Sequence, residues 1–181
     1  MRRVVTGHNK EGKAIVAIDG HAPRVIELPN YPGYAMHEIW STGKEPRLPF
    51  RGEDPTLKMS HFIPASGETR FSIMQVPPLS EIQELVKSGT IDIGQAFAEF
   101  ADAMPDMGKT MEPDNSGMHT TDSIDYIVVL SGEIWCELDD GDEVHLTPGE
   151  SLIQCGTRHA WTNKGNEPCT MAAVMIGATR R

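Results

Sequence analysis

The chain has 181 residues and a formal net charge of −10. That length suits one domain with a substantial core. The acidity argues against nucleic acid, whose phosphates require clustered Lys and Arg. No apolar run approaches the ~20 residues that span a bilayer. The opening stretch around Arg2-Arg3 lacks the apolar segment of a secretion signal. The reading is a cytoplasmic protein with neither membrane nor nucleic-acid partners. Cys136, Cys155 and Cys169 lack CxxC spacing. They are expected to be reduced, buried and free of disulfides.

In chain order, Val4-Val5, Ala14 to Ile18 and Val25 to Glu27 are strand-like runs that read as an antiparallel meander. Tyr34 to Trp40 is a further strand. Residues 43 to 69 carry Pro46, Pro49, Pro55 and Pro64 and read as loop. Arg70 to Val76 alternates and stops at Pro77-Pro78. Ser80 is placed as the N-cap of a helix with Glu81 and Glu84 in its first turn, ended by Ser88-Gly89. Ile93 to Met104 is a second helix, with Ile93, Ala96, Phe97 and Phe100 on one side. This pair is expected to pack on the sheet exterior or to cover one barrel end. Met104 to Gly117, including Asp114-Asn115, reads as loop.

The strongest strand signals cluster between Gly117 and Asn163. Tyr126 to Leu130 and Ile134 to Leu138 are β-rich and separated by Ser-Gly. Asp139 to Asp142 is a turn, because Asp and Gly tolerate positive φ. Pro148-Gly149 punctuates the next strands. Strand parity puts Asp125, Ile127 and Val129 on one face, with Tyr126 facing away. It puts His159, Trp161 and Asn163 together as well.

This stretch resembles the cupin family, a small β-barrel fold. Its first motif is HxH, three or four residues, Glu, six residues and Gly. Its second is Gly, five residues, Pro-x-Gly, two residues, His, three residues and Asn. His119 takes the first His position, Thr121 stands where the second His would be, and Asp125 replaces Glu, with Gly132 following. Gly149, Gly156, His159 and Asn163 match the second motif, which is one residue shorter here and has Cys155 close to the Pro position. The resemblance implies an all-β protein, an antiparallel cupin (RmlC-like) barrel or jelly roll. Residues 1–78 would be N-terminal strands and loop, 79–108 a helical insert and 109–181 the motif core. It also implies a homodimer.

Divalent first-row metals take imidazole and carboxylate ligands. The resemblance assigns a divalent ion (Fe, Mn, Ni or Zn) to His119, Asp125 and His159, with open positions for substrate. An added ligand from His37, His61 or His145 is an alternative. So is a polar network of the same three residues with no metal. Trp161 and Thr121 are placed in the substrate pocket. Arg158 is placed there as a partner for a substrate carboxylate, the alternative being a solvated charge. Asn163 supports the turn. The expected function is a metal-dependent enzyme of the dioxygenase, decarboxylase, dehydratase or lyase type, acting on a small organic molecule. The alternative is a non-catalytic small-molecule binder or sensor. No GxSxG, GxGxxG or Walker motif supports another chemistry.

Overall fold

The computed structural model describes residues 1–50, 52–113 and 117–181. The Asp114-Asn115 loop reading lies outside the described residues. Two strands form a separate hairpin, β1 (Arg2–His8) and β2 (Ala14–His21). Four more precede or follow the helices: β3 (Arg24–Glu27), β4 (Ala35–Thr42), β5 (Thr69–Val76) and β6 (Ser123–Ser131). The remainder are β7 (Ile134–Glu137), β8 (Glu143–Leu146), β9 (Ser151–Cys155), β10 (Ala160–Thr162) and β11 (Cys169–Gly177). Every pairing between them is antiparallel.

The main sheet has the order β3-β4-β5-β11-β6-β9, and a smaller sheet has the order β10-β7-β8. They face each other across a shared core of Val76, Ile127, Val129, Ile134, Leu146 and Met171. Burying each such side chain contributes about 1.5–3 kcal/mol. Alternation along β6 explains its orientation. Asp125, Ile127 and Val129 are buried, while Tyr126 and Leu130 point out at 47% and 48% exposure. The predicted Asp-Gly turn is present as a short 3-10 segment, with Asp140 at φ 58° and Gly141 at φ 81°.

Several expectations change. The N-terminal meander is split, because β2 pairs only with β1 while β3 joins β4 in the main sheet. Cys136 and Cys169 are buried, but Cys155 is exposed. Gln154 takes the inward position on β9, so its neighbour must point out.

Three helices separate β5 from β6: α1 (Leu79–Lys87), α2 (Ile93–Ala103) and the single turn α3 (Pro105–Gly108), the last within a stretch read as loop. Ser80 is not the cap of α1; the cap position is Pro78, with no side-chain bond. The Leu79 N–H instead donates to the Asn163 carbonyl at 2.8 Å, so the residue just past β10 satisfies the helix end. Asp92 caps α2 in the ordinary way, accepting from Gly94 N and Gln95 N. The helices do not lie on the sheet exterior. Their apolar stripes close over the barrel opening.

Candidate functional site

His119 and His159 are brought together by backbone pairing. They form an isolated antiparallel bridge in which each N–H donates to the other's carbonyl, at 2.9 and 3.0 Å. Directly opposed residues in an antiparallel pair put their side chains on one face. The imidazole centroids are 4.2 Å apart. The Nδ1 of His119 contacts the Gly117 carbonyl at 2.8 Å, and the Nδ1 of His159 contacts the Thr157 carbonyl at 3.0 Å. A carbonyl only accepts, so each Nδ1 carries the hydrogen and each Nε2 holds a lone pair. Neither Nε2 has a partner among the described residues, and both rings line a cavity. Burial lowers the His119 pKa. Burial and the neighbouring His119 lower that of His159 to about 4. Both rings are neutral at physiological pH.

Asp125 reaches the same cavity from β6. It is 6% exposed, and its Oδ1 is buried without a hydrogen-bond partner. Burial pushes its pKa up to about 6, against the pull of a hydrogen bond from Ser123. Thr121 also lines the cavity, with its hydroxyl tied to Ser123 at 2.9 Å. Trp161 lies edge-on to His159 at 5.8 Å and 84°. Asn163 is clamped: its Nδ2 donates to the Val76 and Glu167 carbonyls and its Oδ1 accepts from Gly165 N.

The cavity has a volume of about 720 Å³. Its polar side, the floor, includes His119, Thr121, Asp125, His159 and Asn163. Its walls are apolar. Leu79, Ile82 and Val86 enter from α1, and Ile93, Phe97 and Phe100 from α2. Tyr31 and Tyr34 enter from the turn before β4, and Phe62 from the long loop. Exposed Gln83 and Lys87 mark the mouth. These wall residues were missed as site residues in the sequence. The signal was present in the one-sided Ile93, Ala96, Phe97, Phe100 pattern, but that pattern alone does not say what the stripe faces.

Other assignments separate. Arg158 is outside this cavity and holds Glu112 at 2.6 Å and Asp139 at 2.9 Å. His159 points in, so its sequence neighbour points out. His37, His61 and His145 are also elsewhere. His61 contacts Glu68, and His145 stacks on Trp135 at 4.0 Å and contacts Glu133. The three-ligand metal centre does not form. Among the described residues no three His, Cys, Asp or Glu side chains are placed to hold one ion. The imidazoles offer two nitrogens, and the position of a further His is a hydroxyl engaged with Ser123. The residues present do not fit the expected ion.

The family model described as "Cupin domain" matches residues 109–176. The chain carries a cupin domain. Its strands pair antiparallel throughout, as the cupin resemblance implied. Relatives sharing sequence include the Phomopsin biosynthesis cluster proteins C' and D of Diaporthe leptostromiformis, each 49% identical over 49 residues, which is 27% of this chain and 26% of either relative. The cupin-domain-containing oxidoreductase fogC of Aspergillus ruber is 36% identical over 64 residues, 34% of this chain and 32% of that protein. The matches thus span about a quarter to a third of the relatives' length. An RmlC-like cupin family protein from Methanocaldococcus jannaschii aligns over 60% of this chain and 70% of its own at 11% identity, with a TM-score of 0.37. No helix among the described residues is long and apolar enough to cross a membrane.

Proposed function

We propose that this protein binds a small, mostly apolar organic molecule and moves a proton on its enolisable ketone group. One observation carries the reading. The cavity floor presents two neutral imidazole lone pairs and the Asp125 carboxyl, whose Oδ1 is buried without a partner, beneath apolar walls. These groups accept hydrogen bonds and, above about pH 6, none of the three supplies a donor toward the cavity. A ketone brings no donor to such a floor, whereas its enol brings an O–H. The floor therefore favours the enol over the ketone, which is differential binding along the reaction.

Asp125 is suited to carry the proton, since a carboxyl raised to about 6 is a base near neutral pH. It takes a proton from the carbon beside the carbonyl, and the C–H electron pair moves to form the enolate. The proton now on Asp125 passes to that oxygen, which gives the enol and restores the carboxylate, and the enol O–H is accepted by an imidazole Nε2. Reversal returns the proton to carbon. No metal step is required, and the mouth beside Gln83 and Lys87 lets solvent exchange the proton held by the enol.

The test is proton exchange in heavy water. Full-length protein with 2-tetralone should speed deuterium incorporation beside the carbonyl, followed by proton NMR. Asp125→Asn should abolish this. Tetralone that binds without accelerated exchange would overturn the catalytic reading and leave a small-molecule binder or sensor, a role to which the enclosed cavity is equally suited.

A further inference from the structure

The walls of the same cavity carry information about what the ligand looks like, and this inference rests on the cavity reading above. The chain has 11 aromatic residues. Tyr31, Tyr34, Phe62, Phe97, Phe100 and Trp161 line this one cavity. They reach it from four separate parts of the chain, so the concentration is not an accident of one amphipathic helix. Aromatic pairs favour offset or edge contacts worth about 0.5–1.5 kcal/mol beyond their buried area. Walls of this kind prefer a flat ring system to a saturated one of equal size.

A second observation concerns polarity. Tyr31 and Tyr34 sit side by side with ring centroids 5.9 Å apart. Tyr34 is 9% exposed. Neither phenol has a hydrogen-bond partner among the described residues, and neither is sealed off from the cavity. The cavity thus has two sets of polar groups of opposite preference. The floor accepts hydrogen bonds, while the tyrosine pair can donate them.

We propose that the ligand is a flat aromatic or conjugated ring compound with a hydroxyl or enol at one end, seated on His119, His159 and Asp125, and an acceptor such as a carbonyl at the other, seated on Tyr31 and Tyr34. The apolar walls between the poles hold the rings. A carbonyl on the floor faces acceptors and gains a hydrogen bond there only once it has enolised.

Calorimetric titration of the full-length protein with three probes tests this. 2-Decalol has a hydroxyl on saturated rings, 2-naphthol has it on aromatic rings, and 6-hydroxy-2-naphthaldehyde adds the distal carbonyl. The expected affinities rise about tenfold at each step, a difference of about 1.4 kcal/mol each. The double variant Tyr31→Phe with Tyr34→Phe should erase the second step and leave 2-naphthol affinity unchanged, which also shows that the variant is folded. Equal binding of 2-decalol and 2-naphthol would overturn the aromatic class. A carbonyl step that survives the double variant would overturn the tyrosine pole. Either result leaves the proton-exchange reading intact, since that is judged with 2-tetralone and Asp125→Asn. Failure of all three probes to bind at millimolar concentration would overturn the cavity as a site for such compounds altogether.

Discussion

The floor and the walls of the cavity come from different parts of the chain and follow different rules. The floor is polar, deeply buried and built by residues between His119 and Asn163, inside the segment matched by the cupin model. The walls are mostly apolar, range from buried Ile82 and Phe62 to exposed Val86 and Ile93, and are built largely by residues 28–107, outside it. Floor residues are held by directional bonds: the His119–His159 bridge, the two Nδ1 contacts and the Asn163 clamp. Wall residues are held by packing on helices whose other faces are in solvent. The difference teaches that chemistry and selectivity can be altered separately here. Substitution below should change proton transfer, and substitution above should change which molecule arrives.

The largest expected effect tests the floor's charge state. Asp125 titrates near 3.8 when unfolded and about 6 when folded. The folded state binds that proton more tightly, so the stability it provides is complete below pH 3.8 and lost as pH rises through about 6. At about 1.4 kcal/mol per unit the loss approaches 3 kcal/mol. His159 works in the opposite sense, from 6.5 down to about 4, and withdraws stability as pH falls across that window. The two slopes oppose each other between about pH 4 and 6. Asp125→Asn should gain on the wild type by up to about 3 kcal/mol over that rise, read from urea unfolding at several pH values. Parallel curves would show that Asp125 is solvated rather than buried.

Next in size is the wall. Phe97→Leu combined with Phe100→Leu should weaken 2-naphthol binding about tenfold while leaving 2-decalol nearly unchanged, because ring contacts are lost and apolar area is mostly kept. The 2-tetralone exchange rate at saturation should persist. If it falls as far as affinity does, floor and wall are not separable.

Two smaller effects bound the comparison. Arg158→Ala should shift probe affinity by less than about twofold, since its partners Glu112 and Asp139 are outside the cavity and the pairs are partly solvated. Dialysis against EDTA should leave the affinity for 6-hydroxy-2-naphthaldehyde unchanged, because no three His, Cys, Asp or Glu side chains among the described residues are placed to hold one ion. A loss restored by zinc, nickel, manganese or iron(II) would reinstate the three-ligand centre.

How much was legible follows the same division. Strand parity placed Asp125 inward, Tyr126 outward and Trp161 beside His159, because period two is a local property of the backbone. The framework of Gly132, His159 and Asn163 pointed to the right segment. The glycine shows why: at φ 68°, a Cβ at position 132 would come 2.5 Å from the Pro168 carbonyl. The metal reading depended on three side chains reaching a common point, and parity says nothing of reach. Tyr31, Tyr34 and the helical wall were illegible for another reason. Their cavity contacts join residues far apart in sequence, such as Phe97 and Trp161, and no local pattern encodes that. Ser80 misled because the first N–H of the helix, that of Leu79, is met by the Asn163 carbonyl just past β10.

The position of β11 has a consequence for how this protein can be cut. That strand, the last of the chain, lies between β5 on one side and β6 on the other, with eight register pairs to each. A fragment starting at residue 109 would retain the cupin motifs and lose β5. Half of the β11 backbone hydrogen-bonding capacity would then face outward as a long, apolar edge, the kind of surface that templates aggregation. The motif segment is recognisable in sequence as a module, yet it is not separable as one. Truncation to it should yield insoluble material, and any exchange of segments between relatives has to carry residues 69–76 along with the motifs they support.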